Sequence, residues 1–161
     1  MTTATFASLP LAPALLQSLE SLAYSQMTDI QQQSLPAMLA GKDVLAKAKT
    51  GSGKTAAFAL ALLSQIDPLN YKTQALVLCP TRELAEQVSK EIRALARFMP
   101  NIKLLTLCGG TAIVHQVNSL EQAPHIVVGT TGRILDHLSR NSLPLNQLKV
   151  LVLDEADRML D

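Results

Sequence analysis

The sequence is short of cysteine, of long apolar runs and of net charge, and each shortage removes a class of protein. It has two cysteines, Cys79 and Cys108, and each ends an apolar run. That placement suits buried, reduced thiols better than a disulfide framework. His115, His125 and His137 stand at no ligand spacing from either cysteine, so they read as packing or surface histidines and not as a zinc site. The amino terminus, MTTATFASLPLAPALLQSLESL, lacks a basic leader, and its apolar stretch is broken by Pro10 and Pro13 and followed by Glu20. Neither a signal peptide nor a membrane span is expected, and the expected location is the cytoplasm. A formal net charge of +1 leaves no electrostatic footprint of a nucleic-acid binder, so any such function has to come from local geometry. Repeats, low-complexity segments and a domain-splitting linker are also missing.

What is present is a core. With 48% hydrophobic and 17% charged residues, 161 residues suit one globular domain. Short runs rich in Val, Leu and Ile recur at DVLAKA (43–48), ALVLCP (75–80), KLLTLC (103–108), HIVVGT (125–130) and KVLVLD (149–154). Helical spacing separates them, as at Leu84, Val88, Ile92 and Leu95, and two more helices are expected near 12–23 and 29–40. Alternating strands and helices predict an α/β fold, a parallel sheet covered by helices on both faces. Open parallel sheets bind ligands beyond the carboxyl ends of their strands, which directs attention to the loops after these runs.

The loop after the first run is AKTGSGKT, Ala48 to Thr55. Gly51 and Gly53 allow a turn whose N–H groups surround phosphates, Lys54 adds charge, and the Thr55 hydroxyl can hold Mg²⁺. Ala48 stands where the stricter pattern has Gly, and the bland reading is a glycine-rich turn. PTREL follows the second run, with Thr81 as helix cap and Arg82 in the first turn. TTGRIL follows the fourth, with Thr130 or Thr131 as cap and Arg133 in the first turn. A helix start carries partial positive charge, so Arg there is unfavourable unless an anion is expected. With the bare backbone of Gly109-Gly110 after the third run, these positions form a row of phosphate sites, as a nucleic-acid backbone requires. The bland alternative is surface arginines paired with neighbouring acids such as Glu83.

DEAD, Asp154 to Asp157, closes the set. Asp154 at a strand end suits coordination of Mg²⁺ through water, and Glu155 is placed to orient and deprotonate an attacking water. The alternative is an acidic turn without chemistry. TDIQ, Thr28 to Gln31, has the spacing of a capping box, which is explanation enough, though a Gln amide can also pair with adenine at N6 and N7.

Together these motifs resemble those of the DEAD-box RNA helicases over essentially the whole chain, and the run QALVLCPTRELAEQV with LCGG and DEADRMLD is most similar to the bacterial DbpA subgroup. The resemblance implies a RecA-like first domain (33–161) behind a Gln-motif region (1–32). It implies ATP and Mg²⁺ as cofactors, with Phe6, Tyr24, Thr28, Gln31, Lys49, Thr50, Gly51, Ser52, Gly53, Lys54 and Thr55 holding the nucleotide. Lys54, Asp154 and Glu155 would be catalytic, and Thr55 and Asp154 would hold the metal. RNA would lie on Pro80, Thr81, Arg82, Gly109, Gly110, Thr130, Gly132 and Arg133. The implied activity is ATP-driven RNA strand separation, with ribosomal RNA remodelling or ribosome assembly as its setting. The implied state is a monomer that is nearly inactive without a second RecA-like domain of the same protein. The strand carrying the family's SAT motif is expected beyond residue 161. Three residues depart from the family pattern: Ala23 replaces Gly, Asp29 replaces Pro and Thr131 replaces Pro. A different class of function, a non-catalytic RNA- or partner-binding module, is the alternative.

Overall fold

A computed structural model describes residues 5–160, and they fall into two units, 5–65 with 91–100 and 66–90 with 101–160. The first unit opens with a 3-10 turn at Phe6–Ser8 that buries the Phe6 ring. Helix α1 (Pro13–Ser21) begins with proline at its first position, where the missing N–H would have no helical partner anyway. Helix α2 (Asp29–Leu39) begins at a complete capping box: the Gln31 N–H donates to Thr28 Oγ1 at 3.4 Å, and the Thr28 N–H donates to Gln31 Oε1 at 2.9 Å. Both helices lie where the pattern predicts them. Helix α3 (Lys54–Gln65) buries every residue from Ala56 to Leu63, as a helix that is apolar on all sides must, and it packs against α2.

One expected strand does not form. Residues 43–48 have no regular secondary structure and pair with no strand among the described residues, and Leu45 is 90% exposed. The apolar pattern of DVLAKA suits a buried strand, but a strand is held by a ladder partner, and this segment has none.

In the second unit the chain runs through β1 (Ala75–Cys79), α4 (Arg82–Leu95, of which 91–95 count with the first unit), β2 (Leu104–Leu107), α5 (Ile113–Leu120), β3 (Ile126–Thr130), α6 (Thr131–Ser139), β4 (Val150–Leu153) and α7 (Ala156–Met159). The strands make one parallel sheet in the order β2-β3-β1-β4. The inner strands β1 and β3 are buried nearly throughout, as uninterrupted apolar runs predict. Strand β4 is just as apolar but sits at the sheet's edge, so Leu151 and Leu153 remain 54% and 52% exposed. Leu76, Leu107, Leu120, Val127, Ile134 and Leu143 form the core that joins the sheet to α5 and α6. Gly129 in β3 makes this closeness feasible: a Cβ there would lie 2.6 Å from the Leu107 carbonyl oxygen and 2.7 Å from Ile134 Cδ1.

Buried His125 links the amino-terminal end of the sheet. Its Nδ1 accepts from the Lys103 N–H at 3.1 Å, which leaves Nε2–H to donate to the Pro68 carbonyl at 3.0 Å. Both cysteines are buried and unbridged; burial, followed by the charge of Asp154, pushes the Cys79 thiol up to about 12. Such a thiol stays protonated and chemically quiet. No helix among the described residues is long and apolar enough to cross a membrane.

Candidate nucleotide and nucleic-acid sites

In the first unit the loop 49–53 turns through Gly51 and Gly53, at φ +83° and +89°. Both are values that side chains disfavour. Gln31 reaches this loop from α2. While its Oε1 accepts the Thr28 cap, its Nε2–H donates to the Gly53 carbonyl at 3.0 Å. A Cβ at Gly53 would lie 2.5 Å from that nitrogen, so glycine is required here for contact as well as for conformation. The Ser52 hydroxyl is buried and has no hydrogen-bond partner among the described residues. A buried polar atom without a partner is uncommon, and in a glycine-rich turn it suits an absent anionic ligand. Thus the residues present fit a nucleotide phosphate group. Lys54 and Thr55 open α3, directly after the turn.

The adenine-side candidates are placed unequally. Tyr24 is exposed, while Phe6 is buried in the core. Ala23 sits at φ +60°, which gives a reason for glycine in the family pattern: an alanine there costs about 1 kcal/mol. Asp29 takes the first position of α2, where its charge complements the helix dipole.

In the second unit the parallel sheet sends the residues after all its strands to one edge. After β1, the Thr81 hydroxyl caps α4 by accepting from the Leu84 N–H at 3.2 Å. Arg82, the first residue of α4, lies over the glycine loop, since a Cβ at Gly110 would be 2.8 Å from its Nη1. Its acid partner is Glu86, at 3.4 Å, and not Glu83. Both side chains are largely exposed, and such a pair is weak enough for a phosphate to replace.

Arg133 is different. Its side chain is 16% exposed, and its Nη1 donates to the Thr111 carbonyl at 2.8 Å and to Gln116 Oε1 at 3.1 Å, with Asp136 3.7 Å from Nε. Thr130 holds the cap position of α6, but its hydroxyl makes no capping bond. The Thr131 hydroxyl donates to Met159 Sδ at 3.3 Å.

After β4, Asp154 is buried, and its N–H donates to the Leu78 carbonyl at 3.0 Å. Glu155 adopts φ +51°, left-handed for a residue with a side chain, and Arg158 Nη1 donates to its Oε2 at 2.7 Å. Strained backbone of this kind recurs at functional sites. Asp157 is exposed.

Sequence reasoning passed over Gln116 and Ser142, and read His137 only as a packing or surface histidine. Gln116 is buried, with Nε2–H donating to the Cys108 carbonyl at 2.9 Å and Oε1 accepting from both Arg133 and His137 Nε2, the latter at 2.8 Å. His137 Nδ1 lies 2.7 Å from Ser142 Oγ. The available signal was a lone Gln in the stripe Ile113, Gln116 and Leu120, where helical spacing calls for an apolar residue.

Residues 28–161 match the DEAD/DEAH box helicase family. The chain belongs to that family. It is 62% identical to the ATP-dependent RNA helicase DbpA of Escherichia coli over 151 residues, 94% of this chain and 33% of that protein. Among solved structures, a DEAD box protein from Methanococcus jannaschii matches with a TM-score of 0.92 and 42% identity, over 97% of this chain and 42% of the other. Saccharomyces cerevisiae Dbp5, bound to RNA and ADP BeF3, matches with a TM-score of 0.87 and 32% identity, over 98% and 39%. The chain therefore spans about a third of the length of this E. coli relative.

Proposed function

We propose that this chain is the ATP-binding first RecA-like domain of a DEAD-box RNA helicase, with a Gln-motif region at 1–32 and the RecA-like domain at 33–161. The whole protein would couple ATP hydrolysis to RNA strand separation, with ribosomal RNA as substrate and ribosome assembly as its setting, and would act as a cytoplasmic monomer with a second RecA-like domain. Relatives named as ATP-dependent RNA helicases support the activity, and ribosomal RNA is what the resemblance of the motifs to the DbpA subgroup implies.

The observation that carries the reading is the arrangement of the second unit: Arg82 over Gly110, and Arg133 bonded to Thr111, bring three sequence-distant segments to one edge of the sheet. An exposed arginine, bare glycine backbone and helix starts on one edge are the groups that hold a nucleic-acid backbone without reading its sequence. The nucleotide has its own residues. MgATP supplies the phosphoanhydride bond and the divalent charge that offsets its phosphates. The backbone of 51–53 would cradle phosphate and Lys54 would add charge; Thr55 and Asp154 are the residues that the family resemblance assigns to the ion. Glu155 would orient the attacking water and accept its proton. Gln31 keeps one acceptor lone pair and one amide hydrogen beyond its bonds to Thr28 and Gly53, enough for a bidentate contact with adenine.

Titrating labelled ATP and single-stranded RNA against the full-length protein, separately and then together, tests the reading. RNA affinity is expected to rise with ATP bound, because the two ligands stabilise one closed state. RNA binding indifferent to nucleotide would instead support a non-catalytic binding module.

A further inference from the structure

We propose that Gln116 is a positioning residue for RNA binding, holding the glycine loop 109–111 and the start of α6 in one fixed relation, with Arg133 and His137 as its anchors. The inference rests on the RNA reading above and adds to it residues that touch no RNA.

The geometry leaves the Gln116 amide one orientation. Its oxygen faces two donors, Arg133 Nη1 at 3.1 Å and His137 Nε2 at 2.8 Å, and its nitrogen faces the Cys108 carbonyl at 2.9 Å. Turning the amide over would set N–H against N–H and oxygen against oxygen. Burial, followed by the charge of Arg133, lowers the pKa of His137 below its ordinary value of 6.5, so the ring is neutral at pH 7. With Nε2–H committed to Gln116, Nδ1 is the acceptor and takes the Ser142 hydroxyl at 2.7 Å. The ring is thereby clamped at both nitrogens.

The consequence is mechanical. Cys108 immediately precedes Gly109-Gly110, and a rigid side chain bonded to its carbonyl fixes where that loop starts. The Thr111 carbonyl at the loop's far end is bonded to Arg133 at 2.8 Å. Arg133 is the third residue of α6, so the same guanidinium ties the loop to the helix start. With two protein acceptors on one nitrogen and 16% exposure, Arg133 braces the RNA-binding edge, while Arg82, which is exposed, meets the phosphate.

The test uses the full-length protein, with single-stranded RNA affinity measured across a salt series and ATP affinity measured alongside. Gln116→Met removes every polar contact at similar volume. Gln116→Glu keeps the acceptor for Arg133 and His137 and sets a carboxylate oxygen against the Cys108 carbonyl. Both are expected to weaken RNA binding on the order of tenfold, the scale of one buried hydrogen bond left unmade. ATP affinity and the salt slope should stay as in wild type, because no phosphate contact is lost. Arg82→Ala should weaken RNA binding and reduce the salt slope by about 1. Should Gln116→Met unfold the protein, Gln116→Glu carries the test, since it retains the anchors. Wild-type RNA affinity in the Gln116 variants, with Arg82→Ala weakened, would overturn the inference and leave the RNA reading standing. Equal losses of ATP and RNA affinity with a lowered melting temperature would also overturn it, as a general structural role. Undiminished RNA binding by Arg82→Ala would overturn the reading beneath it.

Discussion

Purified as these 161 residues, the chain is expected to hydrolyse ATP roughly 10³ to 10⁵ times more slowly than the full-length protein bound to RNA, the factor that a separately supplied arginine contributes in related phosphoryl transfers. Charge spreads over the equatorial oxygens of the transferred group in the transition state, and a guanidinium placed there only at that moment stabilises it selectively. The arginines near the candidate motifs are engaged locally: Arg82 with Glu86, Arg133 with Thr111 and Gln116, Arg158 with Glu155. Lys54, as the phosphate-loop lysine, would offset ground-state phosphate charge and so assist binding more than turnover. Comparing single-turnover rates of the 161-residue chain and the full-length protein, each with saturating RNA, measures the factor. RNA-stimulated turnover by the 161-residue chain that disappears in Glu155→Gln would contradict the prediction.

In the full-length protein, Glu155→Gln is expected to lower the hydrolysis rate by about 10² to 10⁴, the usual contribution of a positioned general base, while ATP affinity is retained. The amide keeps the size of the side chain and an acceptor for Arg158, which lies 2.7 Å from Oε2 in the native protein. It loses only the capacity to take a proton. Retained ATP binding separates this outcome from a collapsed site, and pre-steady-state hydrolysis reads it directly. A loss of affinity as large as the loss of rate would place Glu155 among the binding groups instead.

The elements whose causes are local were legible in the sequence. T-D-I-Q closes as the reciprocal cap its spacing predicts, and the inner strands β1 and β3 are the continuous apolar runs of a buried parallel sheet. Residues 43–48 carry a similar apolar pattern without forming a strand, because a ladder depends on a neighbour that the segment's own residues do not specify. The same gap between composition and position explains β4, which reads as an inner strand and lies at the edge with Leu151 and Leu153 uncovered. Within the candidate sites, the motif residues reach the expected loops, since parallel strands deliver them there. The distribution of labour between Arg82 and Arg133 was invisible, because both stand in the first turn of a helix after a strand. What separates them is Gln116, on a third element that no motif marks.

This family member is expected to bind nucleotide and RNA through separate residues. Measuring ATP and single-stranded RNA affinities for Lys54→Ala and Arg82→Ala in the full-length protein tests it most directly. A crossed result is expected. Lys54→Ala should lose ATP affinity by roughly ten- to a hundredfold, the scale of a charge-assisted hydrogen bond, and retain RNA binding in the absence of nucleotide. Arg82→Ala should retain ATP affinity and lose RNA affinity. Equal loss of ATP affinity in both variants would contradict it, showing that the two sets of residues serve one site.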